Sequence, residues 1–242
     1  MSEWTAKRFW TEVSLRDEPA GFGISLDSRP IKTPAKQPLI APTRAFAEAI
    51  AAEWESQSDK IDPASMPFTR SANAALDKVV RQHREVADML AAYGDSDLLC
   101  YRADRPQSLV DRQAAQWNPF LEWGAEVLEA RLEPRTGVMH VPQAEPALAT
   151  LRARVHAMSP FELAGFHDLV SLSGSLILGF AATFDLRTPK AIWDISRLDE
   201  IWQAEEWGAD EDAEAAALVK EHAFIHAKQV FDLSRNSEMP LV

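Results

Sequence analysis

The chain has 242 residues, of which 46% are hydrophobic, and its 25 Lys and Arg against 37 Asp and Glu give a net charge of −12. A charge of this sign repels nucleic-acid phosphates and anionic lipid headgroups, so we expect no nucleic-acid partner. The single Cys100 excludes an internal disulfide and a multi-thiolate metal centre, and it fits a reducing compartment.

The sequence starts MSEWTAKRFWTEV, which has neither the basic and apolar segments of a signal peptide nor the composition of an Arg- and Ser-rich presequence. Its most apolar stretch, Leu169 to Phe184, is about four residues short of a membrane span and includes three serines. We therefore expect no targeting presequence, a bacterial cytoplasmic location, no membrane insertion, and a single buried helix over this stretch.

A small β-module is predicted for residues 1–42. The short segments RFWTEVSL, GFGISLD, RPIKT and PLIA have strand-like alternation or β-branched content, and the segments between them are rich in turn-forming residues. Because so few apolar side chains cannot form a core alone, the module must pack against the later part of the chain.

Helical periodicity begins after Thr43, a predicted N-cap, with Phe46, Ile50 and Trp54 on one apolar face. We interpret Trp54 as a core residue. Later helix starts are predicted where a capping residue precedes proline: Asn118-Pro119, Ser159-Pro160 with Glu162 completing a capping box, and Thr188-Pro189. The sequence thus predicts an α+β fold, with a small N-terminal β-module (1–42) followed by a larger all-helical domain (43–242) of seven or eight helices.

The residues give little support for an enzyme. Phosphate loops, dinucleotide fingerprints, nucleophile elbows and HExxH motifs are absent from the sequence, so we expect no catalytic residues, no metal and no cofactor. His222 and His226 lie one helical turn apart but lack a third zinc ligand nearby in sequence. His167 and Asp168 would be the acid/base pair of a small hydrolase, which is the enzymatic alternative. The Asp95–Asp97 triplet fits a turn or N-cap better than a metal site.

The most unusual segment, residues 195–215, holds eight acids between Asp199 and Glu214, with no Lys or Arg between them. On a helical wheel begun at Thr188, an apolar stripe faces the core and one opposite face collects the residues Ser196, Glu200, Gln203 and Trp207. A tryptophan framed by polar groups is typical of a protein-binding hot spot, so these four are the predicted partner-binding residues. Two alternatives remain open: Trp207 folds back as a cap where Gly208 ends the helix, and residues 210–214 form a solvated acidic loop.

With these segments in view, the sequence resembles the assembly chaperones that bind the alpha subunit of the F-type ATP synthase catalytic head before it pairs with the beta subunit. The matching stretches, in the family's order, are SLDSRPIKTPAKQPLIAPT, AIAAEWESQSDKIDPASMPFTRSANAALD, YGDSDLLCYRAD, RQAAQWNPFLEW, SGSLILGFA and LDEIWQAEEWGADED. Ser28 departs from the family, which usually has glycine in that turn.

The resemblance implies a non-enzymatic holdase whose partner is the unassembled ATP synthase alpha subunit, and we expect the chain to be a monomer. By the same resemblance, Glu200 falls on the carboxylate on which the family relies for its client, and Gln203, Trp207 and Gly208 complete that motif. An adaptor for an unrelated protein partner is the alternative that shares every feature except the identity of the client.

Overall fold

A computed structural model of the chain describes residues 7–137 and 139–235. Over these residues the chain forms six short strands and ten α-helices, joined in places by 3-10 turns. The strands are β1 (Val13–Glu18), β2 (Gly21–Leu26), β3 (Arg29–Pro30), β4 (Ile40–Ala41), β5 (Tyr101–Arg102) and β6 (Arg135–Thr136). The helices are α1 (Arg44–Glu55), α2 (Pro67–Ala74), α3 (His83–Ala91), α4 (Gln107–Val127), α5 (Glu145–His156), α6 (Pro160–Ser173), α7 (Leu176–Thr183), α8 (Pro189–Ser196), α9 (Leu198–Trp207) and α10 (Glu211–Leu233).

The predicted β-module is present as a four-stranded antiparallel sheet in which β2 pairs with β1, β3 and β4. The β1–β2 hairpin turns between Glu18 and Gly21. Gly21 has φ +141, and a Cβ there would lie 2.1 Å from the backbone oxygen of Ala41, so only glycine lets β2 and β4 approach here. The next turn has its positive φ at Asp27 rather than at Ser28.

The sheet packs on α1, as its small apolar content requires. Thr43 caps α1 by accepting a hydrogen bond from the Phe46 amide at 3.1 Å, and Phe46 and Ile50 are fully buried. They join one hydrophobic cluster with sheet residues such as Ile24. Trp54 is partly buried and packs against the edge of this cluster. The α+β fold class is thereby confirmed, with the small parallel pair β5–β6 as the one departure from an all-helical remainder of the described chain.

The chain divides into two compact units. The first contains the described residues up to His83, together with Ser159–Gly165 and the end of α10 from Gln229, and the second contains Arg84–Met158 and Phe166–Lys228. Strands give way to helices between Ala41 and Arg44, whereas the units are divided elsewhere in the chain. A domain boundary between residues 42 and 43 therefore stays a prediction.

Two of the three predicted proline-associated helix starts are confirmed. Ser159 and Glu162 exchange both hydrogen bonds of a capping box, and Thr188 accepts from the Ala191 amide. The start predicted at Asn118 is wrong, because α4 runs on through Pro119. The proline costs one backbone hydrogen bond, and the burial of apolar side chains on both sides of it, including Trp117 and Phe120, outweighs that loss.

The single helix predicted over residues 169–184 is also wrong. Gly174 has φ +70 and separates α6 from α7. Gly179 allows α6 and α7 to pack closely, since a Cβ there would lie 2.7 Å from Val170 Cγ2 and 3.2 Å from the Phe166 ring. No helix in the described part of the chain is both long and apolar enough to cross a membrane.

Buried Asp97 orders the start of α7. Its carboxylate accepts hydrogen bonds from Ser175 Oγ at 2.7 Å, the Ile177 amide at 3.0 Å and the Leu99 amide at 3.0 Å, so the predicted capping role in the Asp95–Asp97 triplet is confirmed. Burial raises the pKa of Asp97 to about 6, although these donors act in the opposite direction. Two of the family-like stretches, YGDSDLLCYRAD and SGSLILGFA, thus meet at one carboxylate.

Candidate functional site

The acidic segment folds as two helices rather than one continuous helix. α8 ends at Ser196, Arg197 has non-helical backbone angles (φ −104, ψ 16), and α9 begins at Leu198. Residues before and after Arg197 therefore do not share one helical wheel, and the placement of Ser196 on an exposed face is wrong. Ser196 is buried, and its hydroxyl donates a 2.6 Å hydrogen bond to the Trp193 carbonyl, so it cannot contact a partner directly.

Three side chains from two successive turns of α4 fix the position of α9 and of its junction with α8. Arg112 donates to both carboxylate oxygens of Glu205 through its two terminal guanidinium nitrogens, and this bonding lowers the pKa of Glu205. Gln113 donates to Asp199 at 2.8 Å, and Trp117 Nε1 donates to the Ile195 carbonyl at 3.0 Å. Leu198 and Trp202 bury the inner face of α9. The outer face is consequently held on a rigid support.

That outer face presents the three remaining predicted residues. Glu200 and Gln203 are exposed, and Trp207 is 75% exposed at the last turn of α9. Gly208 ends the helix as expected, with φ +96, but Trp207 does not fold back as a buried cap. Its ring meets the buried Trp202 edge-on, with centroids 5.7 Å apart. The structure therefore brings Glu200, Gln203 and Trp207 to one surface.

Most acids of this segment also have a role in helix formation. Asp199 and Glu200 lie in the first turn of α9, and Glu211, Asp212 and Glu214 lie in the first turn of α10, where a carboxylate interacts favourably with the helix dipole. Asp210 caps α10 by accepting from the Ala213 amide at 2.9 Å. The solvated loop expected for residues 210–214 is therefore wrong. The concentration of acids reflects two helix N-termini that are close in sequence.

A groove of about 790 Å³ lies between α9 and α10, with the end of α8 on one side. Its small and apolar lining includes Trp193, Ala204, Trp207, Ala213, Ala217 and Leu218. Its charged lining comprises six carboxylates, Asp194, Glu200, Glu205, Asp210, Glu214 and Glu221, and one cation, Arg197. All three exposed residues predicted from the sequence line this groove, so it is the candidate site.

Arg197 links the groove to the α8–α9 junction. Its guanidinium lies 3.0 Å from Glu200 Oε1 and 5.6 Å from the centre of the Trp193 ring. The Glu200 side chain is half exposed, so this pair contributes little to folding, but it holds the carboxylate toward the groove.

The other sequence candidates lie apart from the groove lining. His167 and Asp168 bond to each other at 2.8 Å, with both side chains substantially exposed. His222 is exposed on α10, and no group of three possible metal ligands occurs among the described residues. Cys100 is buried, and burial raises its pKa to about 12, which leaves a thiol of low reactivity.

Comparison with known proteins identifies the family. A family model described as ATP12 chaperone protein matches residues 7–125. The crystal structure of Atp12 from Paracoccus denitrificans is 47% identical and superposes with a TM-score of 0.94, covering 96% of this chain and 100% of that one. The chain belongs to the ATP12 family of ATP synthase assembly chaperones.

Two further relatives are similar over most of the chain. The mitochondrial atp12 protein of Schizosaccharomyces pombe is 23% identical over 219 residues, which cover 86% of this chain and 75% of that protein. A protein from Agrobacterium tumefaciens is 38% identical with a TM-score of 0.85, covering 93% of this chain and 85% of that one. The chaperone and ATP synthase assembly assignments made from the sequence are confirmed.

Sequence reasoning missed the α10 side of the groove. Leu218 is 51% exposed and lines the groove together with Glu214, which stands one helical turn before it. The available signal was the run Ala213–Leu218, where a leucine follows four alanines and Glu214 rather than other bulky apolar residues. The groove also lies outside the stretch that the family model matches.

Proposed function

We propose that this ATP12-family chain is a holdase for the unassembled alpha subunit of the F-type ATP synthase catalytic head, whose beta-facing surface it covers until the beta subunit binds. The observation that carries the proposal is the exposed Trp207 beside Glu200 on a groove wall held rigidly by α4. Rigid aromatic rings framed by polar groups are the usual anchors of protein interfaces.

A holdase is the role that such a face supports. An unassembled subunit carries apolar surface that is later buried by its partner, and such surface aggregates unless it is covered. The matching family model is described as a chaperone protein, in agreement with a non-enzymatic role. We propose that the protein acts as a monomer in the bacterial cytoplasm, in line with its bacterial relatives.

The test is whether alpha subunit co-purifies from cell extract with the Glu200→Lys variant of this chain. Reversal of a charge that meets a donor at a buried interface costs about 2–5 kcal/mol of binding, so alpha subunit should be lost from the purified complex. Folding should change by less than about 1 kcal/mol, because Glu200 makes one half-exposed ion pair.

Glu206→Lys is the matched control. Glu206 is exposed on the same helix, three positions past Gln203, and it does not line the groove. This variant should retain alpha subunit and melt like the parent protein. A folded Glu200→Lys variant that retains the client fully would show that this face is not the binding site. A different dominant protein captured by the parent chain would favour the adaptor alternative.

A further inference from the structure

The two walls of the groove differ in whether their carboxylates have ion-pair partners. On the α9 side, Glu200 pairs with Arg197 and Glu205 pairs with Arg112. On the α10 side, the carboxylate of Glu214 has no ion-pair partner among the described residues, and that of Asp210 accepts only a backbone amide. Unneutralised negative charge is therefore concentrated where α10 begins, next to Asp210 and Glu214.

Apolar surface is exposed at the same place. Trp207 and Leu218 both line the groove, with 75% and 51% of their surfaces exposed. The lining between them includes alanines 204, 209, 213 and 217 and Gly208, whose small size leaves room for large side chains of a partner. Large exposed apolar residues around a small-residue floor favour an occupant that supplies its own bulky apolar side chains.

The walls also restrict the form of the occupant. All lining residues come from α8, α9, α10 and the two connections between these helices, so the groove offers no free strand edge to which an extended peptide would add. The α10 wall from Ala213 to Glu221 is about 12 Å long at 1.5 Å per residue, which is slightly more than two helical turns.

We propose that the groove between α9 and α10 binds a basic amphipathic helix of the client, with its apolar face on Trp207 and Leu218 and its Lys or Arg side chains on Asp210 and Glu214. This proposal deepens the proposed function and rests on it, because it specifies the chemistry of the client segment. A second copy of this chain is disfavoured as the occupant by the net charge of −12.

The direct probe is a synthetic amphipathic peptide of about four turns built from leucine, alanine and lysine, labelled for fluorescence anisotropy. A second peptide replaces every lysine with glutamate. The lysine peptide should bind, gain helicity on binding by circular dichroism, and bind at least about tenfold more weakly when added salt screens the charges. The glutamate peptide should not bind.

Two matched pairs of variants locate the contact. Leu218→Asp should weaken peptide binding at least about tenfold, whereas Val219→Asp should not, because Val219 is 69% exposed on the same helix but does not line the groove. Glu214→Lys should likewise weaken binding, whereas Asp212→Lys, an equal charge change away from the lining, should not.

Three results would overturn the inference. They are equal effects within each pair of variants, equal binding of the lysine and glutamate peptides, and binding without a gain of helicity. Alpha subunit that co-purifies fully with Leu218→Asp but not with Glu200→Lys would remove α10 from the client site and leave the proposed function intact. If alpha subunit co-purified fully with both variants, the result would contradict both this inference and the proposed function.

Discussion

Replacing Trp207 with alanine tests whether this residue is a binding anchor or a structural residue. About a quarter of this side chain is buried, and its ring makes one edge contact with Trp202. With a tryptophan surface of roughly 200 Å², the buried part is about 50 Å², which corresponds to about 1 kcal/mol of folding free energy. The loss of client affinity should be at least about 2 kcal/mol, because exposed aromatic anchors become buried in the complex.

Trp202→Ala is the control that fixes the scale. Trp202 is 8% exposed and lies on the buried face of the same helix. Its removal leaves a cavity and should cost about 3–5 kcal/mol of folding free energy. Chemical denaturation of both variants measures the stability terms. Co-purification of alpha subunit at matched protein concentration measures binding.

Equal destabilisation of the two variants would refute this distinction, since Trp207 would then be a core residue in solution. A Trp207→Ala variant that keeps both its stability and its client would refute it differently. In that case the exposed ring contributes nothing to recognition, and the groove needs another anchor.

Two predictions concern the second compact unit. Because burial raises the pKa of Asp97 from 3.8 to about 6, the folded state binds a proton in this range that the unfolded state does not. The free energy of unfolding should therefore rise by about 1 kcal/mol as the pH falls from about 7 to about 5. Urea titrations of Asp97→Asn should show a flatter pH dependence of stability over this window. Gly179→Ala should lose about 1–3 kcal/mol in the same assay, because a Cβ 2.7 Å from Val170 Cγ2 overpacks a fully buried contact, and an unchanged midpoint would show that α6 and α7 can separate without cost.

Local signals in the sequence predicted the parts of the fold that depend on neighbouring residues. The caps at Thr43, Ser159 and Thr188 need only a hydroxyl three residues before a free amide, and all three form. The Phe46–Ile50 stripe likewise reports burial within one element, whereas β2 is buried continuously from Gly23 to Leu26 rather than at alternate positions.

The errors occur where distant residues decide the backbone. Pro119 stays inside α4 because the helix is buried around Trp117. Gly174 ends α6 where its carbonyl accepts from the Leu98 amide at 3.0 Å, a contact 76 positions away along the chain. The break at Arg197 is fixed by bonds from α4 to Ile195 and Asp199, and it moved Ser196 from the predicted surface into the interior.

The same distinction shows which features of the acidic segment bear on function. The first-turn acids of α9 and α10 are accounted for by helix N-termini, and Glu205 is accounted for by Arg112, so the number of acids alone does not indicate a partner. The exposure of Trp207 and Leu218 on one groove has no such explanation, because each would gain free energy by burial. Folding therefore accounts for most of the charges, whereas we attribute the exposure of Trp207 and Leu218 on the groove to a binding partner.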